Sequence, residues 1–241
     1  RVLRGAILVR EWNNLTSHLI RQRPDVVQFG IISFPFQTLF LQGLRRNGLI
    51  LTQICHEFEH REGQGIIARI TEQLRAGAYD QFSAIFFHAA QNRERFLSFY
   101  HAPQKATHVI PHGNEGLFLT RAARPVNLRE RYKLNGLKPV VLFFGILAPS
   151  KGLPDLLEAF AQVVEQRPAH LIVAGYPTKY IDMDELRAQI ERSGIGKHVI
   201  FDTRYIPFEE VGALMELATV VVYPYRSSTQ SGALQVAYEF G

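Results

Sequence analysis

Three short stretches of this 241-residue chain hold residue types that could do chemistry. They are "HEFEH" (56–60), "GILAPSKG" (145–152) and "YRSSTQSG" (225–232). The first has the H-E-x-x-H order of a zinc hydrolase, which needs both histidines on one helical face, a third ligand and an open coordination position. Its surroundings argue against that chemistry. The motif leaves an apolar run, "LILTQIC" (49–55), without a helical lead-in. Gly63 and Gly65 follow, and both are poor helix formers. The extended pattern is met at Gly63, but its third histidine would fall on Ile66. Two readings remain: a solvated loop without function, and a ligand-facing strand end. In open parallel sheets, ligands bind at the C-terminal ends of the strands. His56 and Glu57 occupy such an end if 49–55 is a strand. A histidine there can hydrogen-bond a sugar hydroxyl or a phosphate and can handle protons near neutrality.

The second stretch reads as strand, glycine-flanked loop and helix across "VVLFFGILAPSKGLPDLLEAF" (140–160). Loop and helix-N-terminal N–H groups attract phosphate, and Lys151 adds a point charge. Neither G-x-x-x-x-G-K-[ST] nor G-x-G-x-x-G is present. By itself, a lysine before a helix is equally surface decoration. The third stretch crowds Ser227, Ser228, Thr229, Gln230 and Ser231 onto the start of a helix that opens at Gly232. One such residue suffices for capping, so the surplus suggests binding of ribose or sugar hydroxyls.

The elements that would position these residues alternate regularly. Strand-like runs are 25–30, 49–55, 82–88, 108–111, 140–145, 170–175, 198–202 and 220–224. Helix-like stretches are 6–22, 36–46, 64–78, 89–100, 153–165 and 232–240. The runs are rich in Val, Ile, Leu and Phe rather than alternating, as in strands covered on both faces. The 153–165 helix places Leu153, Leu156, Leu157, Phe160, Val163 and Val164 on one stripe, with Pro154 in its first turn. The fold class is therefore α/β, with parallel sheets and right-handed crossovers. A charged stretch at 121–138 carries Pro125 and interrupts the pattern. We read it as a linker with a short helix between two Rossmann-like domains, 1–120 and 139–241. The first lacks an opening strand and the second a closing one, so both are expected to be incomplete.

Bulk properties narrow the classes further. Hydrophobic residues make up 46% of the chain and charged residues 20%, enough for a substantial core. One cysteine, Cys55, forbids an intrachain disulfide and suits a reducing compartment, hence a cytoplasmic location. No apolar run approaches the roughly 20 residues that span a bilayer. The formal charge of +5 divides into +4 over 1–120 and +1 over 121–241. That is either ordinary scatter or the mark of an anionic partner, including a peripheral contact at the anionic inner face of a membrane. No basic run with interleaved aromatics points to nucleic acid.

The order of the motifs resembles the group 1 (family 4) glycosyltransferases, which have the two-Rossmann GT-B fold. "VIPHGNEGLF" (109–118), "FFGILAPSKGLPDLLEAF" (143–160), "HLIVAGYP" (170–177) and "VIFDTRYIPFEEVGALMELATVVVYPYRSSTQSG" (199–232) carry the resemblance, in that order. It implies retaining transfer of a sugar from a nucleotide-sugar to a glycan or lipid-linked acceptor, without a metal or other cofactor. It implies that Lys151 meets the donor diphosphate, that Gly145 belongs to the donor site and that Tyr205 and Ile206 lie near the base. Residues from Ser227 to Gly232 would face the donor sugar and its phosphates. His56 and Glu57 would act near the donor sugar and acceptor, and His112, Gly113 and Asn114 would line an interdomain cleft. Three positions depart from the pattern. Ile146 stands for a phosphate-binding arginine, and Ser228 and Val236 stand for two glutamates. These departures leave a second expectation open, a GT-B domain that binds a nucleotide or partner without turnover. An epimerase would need cleft carboxylates, for which Glu57 and Glu115 are the candidates. The 241-residue piece alone is expected to be inactive.

Overall fold

A computed structural model describes residues 2–56, 58, 76–100, 106–111, 113, 116, 126–134, 136, 138–228 and 231–241. The chain divides into two compact units, Arg1–His112 and Gly113–Gly241. In the first unit, β1 (Val26–Phe29), β2 (Ile50–Ile54), β3 (Ala84–Phe87) and β4 (Ala106–Val109) form a parallel sheet in the order β1-β2-β3-β4. Helices α1 (Val2–Gln22), α2 (Gln37–Arg46) and α3 (Ala90–Phe99) accompany it. Leu41 and Leu44 of α2 meet Leu51, Ile85 and Phe87 of the strands and Phe96 of α3 in one core. Trp12 of α1 stacks on Phe29 with ring centroids 5.9 Å apart, which seats the long helix on the sheet.

In the second unit, β5 (Val140–Phe144), β6 (His170–Ala174), β7 (Val199–Asp202) and β8 (Val220–Val221) are also parallel, but their order is β7-β6-β5-β8. The chain steps outward from β5 to β7, then returns past β5 to lay down β8. Side chains of successive strand residues point to opposite faces. Phe143, Leu171 and Val173 therefore join α5 (Leu153–Gln166) and α6 (Met183–Arg192) in one core. Leu142, Ile172 and Ala174 join α7 (Phe208–Leu217) and α8 (Gly232–Glu239) in the other. Covering on both faces is why these runs are continuously apolar. The run at 220–224 pairs only at Val220 and Val221, with one further bond from the Val222 N–H to Leu142 O at 2.8 Å. Pro224 has no N–H to extend the ladder.

Within the stretch read as a linker, 126–134 packs on the second unit. Leu128, in the short helix α4 (Leu128–Arg131), is buried in the α7/α8 core, with Val126, Tyr132 and Leu134 against it. Arg131 donates to Glu210 Oε2 at 2.5 Å, and the Tyr132 hydroxyl donates to Asp202 Oδ2 at 2.7 Å. Burial raises the Tyr132 pKa, and the hydrogen bond to Asp202 raises it further. Among the described residues no helix is long and apolar enough to cross a membrane.

Candidate functional site

The strand order reverses between β5 and β8. At such a reversal the flanking connections leave toward opposite faces and open a crevice at the strand ends. The loops that follow these two strands are the second and third stretches singled out above, and they touch. The Arg226 N–H donates to Ser150 O at 3.0 Å and the Ser227 N–H to the same oxygen at 3.4 Å. Gly152 has φ +69°, and a Cβ built on it would lie 1.9 Å from Pro224 O. Only glycine allows the two backbones to approach this closely. Gly152 also gives α5 no side-chain cap, and uncapped N–H groups at a helix N-terminus can be satisfied by water or an anion.

Side chains complete the junction. The Lys151 ammonium lies 3.8 Å from the centroid of the Tyr225 ring, a cation–π distance. Tyr225 Oη and Ser231 Oγ are 3.0 Å apart, and Ser231 Oγ accepts from the Leu234 N–H at 3.2 Å, capping α8. Tyr223 donates to Ala233 O at 2.7 Å. Burial raises the pKa of both phenols, which keeps them protonated. Arg226 forks onto both carboxylate oxygens of Asp155, at 2.6 and 2.5 Å. Its hydrogen bonds hold the Asp155 carboxyl below the usual range.

Beside this junction is a cavity of about 180 Å³ at the ends of β5 and β6. Gly145, Tyr205 and Ile206 line it, together with Ile146, Tyr176 and Phe208. Tyr205 is 74% exposed and Ile206 only 7%, so one supplies a movable face and the other a fixed floor. Gly175 makes the wall possible: at φ +146°, a Cβ on it would lie 1.8 Å from Gly145 O. An ion-pair network stands next to the cavity-lining segment. Arg204 bridges Asp202, at 2.7 Å, and Glu210. Burial alone would raise the Glu210 pKa, but hydrogen bonds from Arg204 and Arg131 outweigh it and hold the carboxylate ionised.

Of the expected donor-side residues, the structure thus gathers Gly145, Tyr205 and Ile206 at one cavity and Lys151, Ser227 and Ser231 at the adjoining loop junction. Ser228 and Gly232 are exposed beside it. Thr229 and Gln230 lie outside the described residues, as do Glu57, Glu59, His60, His112, Asn114 and Glu115; Gly113 is described and exposed. In the first unit, His56 follows β2 and is exposed. His88 follows β3, and its ring centroid lies 4.9 Å from that of His56. His88 Nδ1 is 3.3 Å from Ile110 O, which can only accept, so the contact is a hydrogen bond when Nδ1 carries a proton.

Sequence reasoning missed His88, Tyr176, Phe208 and the Asp155–Arg226 pair. Tyr176 and His88 had a signal, since each stands just past a strand end. Asp155 and Arg226 had none, because 71 residues separate them. Val236 is buried in the core. At this position α8 presents its side chain to the core it shares with α7.

Comparison with known proteins bears on both units. The model of the glycosyl transferases group 1 family matches residues 138–241. The match covers the second half of the chain, β5 to α8 included. Over 105 residues the chain is 31% identical to alpha-D-kanosaminyltransferase from Streptomyces kanamyceticus, covering 43% of this chain and 26% of that protein. Among solved structures, sucrose-phosphate synthase from Thermosynechococcus elongatus superposes with TM-score 0.72 at 16% identity, covering 95% of this chain and 57% of that one. The Anabaena HepE structure in complex with UDP gives TM-score 0.74 at 17% identity, with 95% and 60% covered. At these identities the solved structures share the fold. The chain thus has the GT-B fold of these structures and spans about 60% of their length.

Proposed function

We propose that the full-length protein is a retaining glycosyltransferase, moving a sugar from a nucleotide-sugar to a glycan or lipid-linked acceptor. One observation carries this reading. The strand-order reversal brings the lysine-bearing turn against the segment that leads into α8, and Gly145, which lines a ring-sized cavity, lies against Ala233 of that helix. The cavity is smaller than the about 300–1,000 Å³ of whole-ligand sites, so it suits one flat base and leaves the rest of the donor to the loops. The diphosphate is assigned to Lys151 and the first turn of α5, and the sugar to residues 227–232. Binding of UDP by HepE, a protein of this fold, supports a nucleoside diphosphate as the shared part. His56 and Glu57 are assigned to sugar contacts and proton handling. No metal is assigned: Lys151 and the α5 dipole stabilise the leaving diphosphate. A cytoplasmic location with peripheral membrane contact agrees with the basic first half.

The test is release of free nucleotide from a panel of UDP-, GDP- and ADP-sugars by the full-length protein, with and without EDTA. EDTA-resistant release from one donor is expected. Release abolished by EDTA would overturn metal independence. Nucleotide binding without any release would favour the second reading, a domain that binds without turnover. That reading draws on Ile146, 45% exposed where the pattern has arginine, and on the core-facing Val236.

A further inference from the structure

Asp155 is out of place in an anion site. It lies in the first turn of α5, where the helix dipole favours a carboxylate but would equally favour a phosphate. Its Oδ2 would be 3.4 Å from a Cβ on Gly152, so its charge sits against the turn that carries Lys151. Uncompensated, it repels a diphosphate from that turn. We infer that Arg226 makes the turn able to accept a diphosphate by neutralising Asp155. This rests on the functional reading above. Arg226 is suited to the task in two ways. Its fork covers both carboxylate oxygens. Its own N–H, bonded to Ser150 O, anchors it to the far side of the same turn. The side chains are 57% and 48% exposed, so solvent screens the pair and its contribution to stability is modest. Arg226 therefore acts through Asp155 and is a positioning residue.

A double-mutant cycle on the full-length protein separates this role from direct phosphate contact. Binding of UDP, GDP and ADP is measured by calorimetry at low salt for the parent, Arg226→Ala, Asp155→Asn and the double variant. Thermal melts confirm that each is folded. Arg226→Ala is expected to weaken the preferred diphosphate roughly five- to tenfold, the low end of typical coupling because the pair is exposed. Asp155→Asn is expected to bind at least as well as the parent, and the double variant to recover to within about twofold of Asp155→Asn. The Arg226→Ala defect is also expected to shrink as salt rises. A double variant as weak as Arg226→Ala would overturn the inference and make Arg226 a direct ligand. An unchanged Arg226→Ala would overturn it too, while leaving the functional reading intact. A parent that binds no nucleoside diphosphate would defeat both.

Discussion

The two sheets are built alike and ordered differently. Both are parallel, four-stranded and made from similar apolar runs. In the first, sequence order and spatial order agree among the described strands, so every connection steps the same way. In the second, the return past β5 splits the helices between two faces and leaves a crevice at the strand ends. The consequence is functional. The second unit concentrates its candidate residues at one junction. The first spreads His56, His88 and Ile110 along the ends of three strands. Being parallel makes a strand end a candidate, and reversal decides which ends form a site.

The sharpest way to break this comparison is at the glycines that follow the strands. Gly175→Ala must move the Gly145 backbone and adopt a strained φ. It is expected to cost about 3 kcal/mol or more in denaturant unfolding. Gly30 follows β1 in the first unit, and a Cβ there meets nothing within 4 Å. Gly30→Ala is expected to change stability by less than about 1 kcal/mol. Equal costs would mean the second unit has no special close approach.

His56→Ala asks whether the dispersed residues of the first unit matter. Its exposure predicts an intact fold, and kcat is expected to fall about 10²–10⁴-fold with nucleotide affinity unchanged. Unaltered turnover would remove His56 from the chemistry. Zinc bound stoichiometrically and lost in this variant would restore the hydrolase reading.

A smaller effect sharpens the contrast between the two ends of the second sheet. His170 opens β6, at the end away from the junction, and is 8% exposed. Among the described residues neither ring nitrogen has a hydrogen-bond partner. Burial, then the nearby Lys138, His198 and Arg129, hold its pKa below 6.5. Below pH 6.5 the unfolded chain therefore binds the extra proton. Stability is full above this value and falls as pH drops through it, by at most about 1.4 kcal/mol per pH unit. The unfolding midpoint is expected to drop between pH 7.5 and 5, and to drop less in His170→Gln. Parallel pH profiles would remove His170 as the cause.

Much of this was legible because it was local. Strand runs declared themselves by composition, and the 153–165 helix by its stripe; it extends to Gln166. What was hidden depended on contacts remote in sequence. The charged stretch 121–138 concealed Val126, Leu128, Tyr132 and Leu134, whose apolar faces show only once α7 and β7 are beside them. Hydroxyl counting favoured 227–231 for binding, yet Ser231 turned out to cap α8. Arg226, one residue ahead of them, was passed over because its partner lies on another helix. The reversal itself has no signature in any single run.

The most direct test of the junction as a donor site is calorimetric titration of UDP, GDP and ADP into the full-length protein and its Lys151→Ala variant. One nucleotide is expected to bind the parent and to bind the variant about 10–100-fold more weakly, a loss of about 1.4–2.8 kcal/mol. Equal affinity in the two proteins would take Lys151, and with it the β5–β8 junction, out of the donor site.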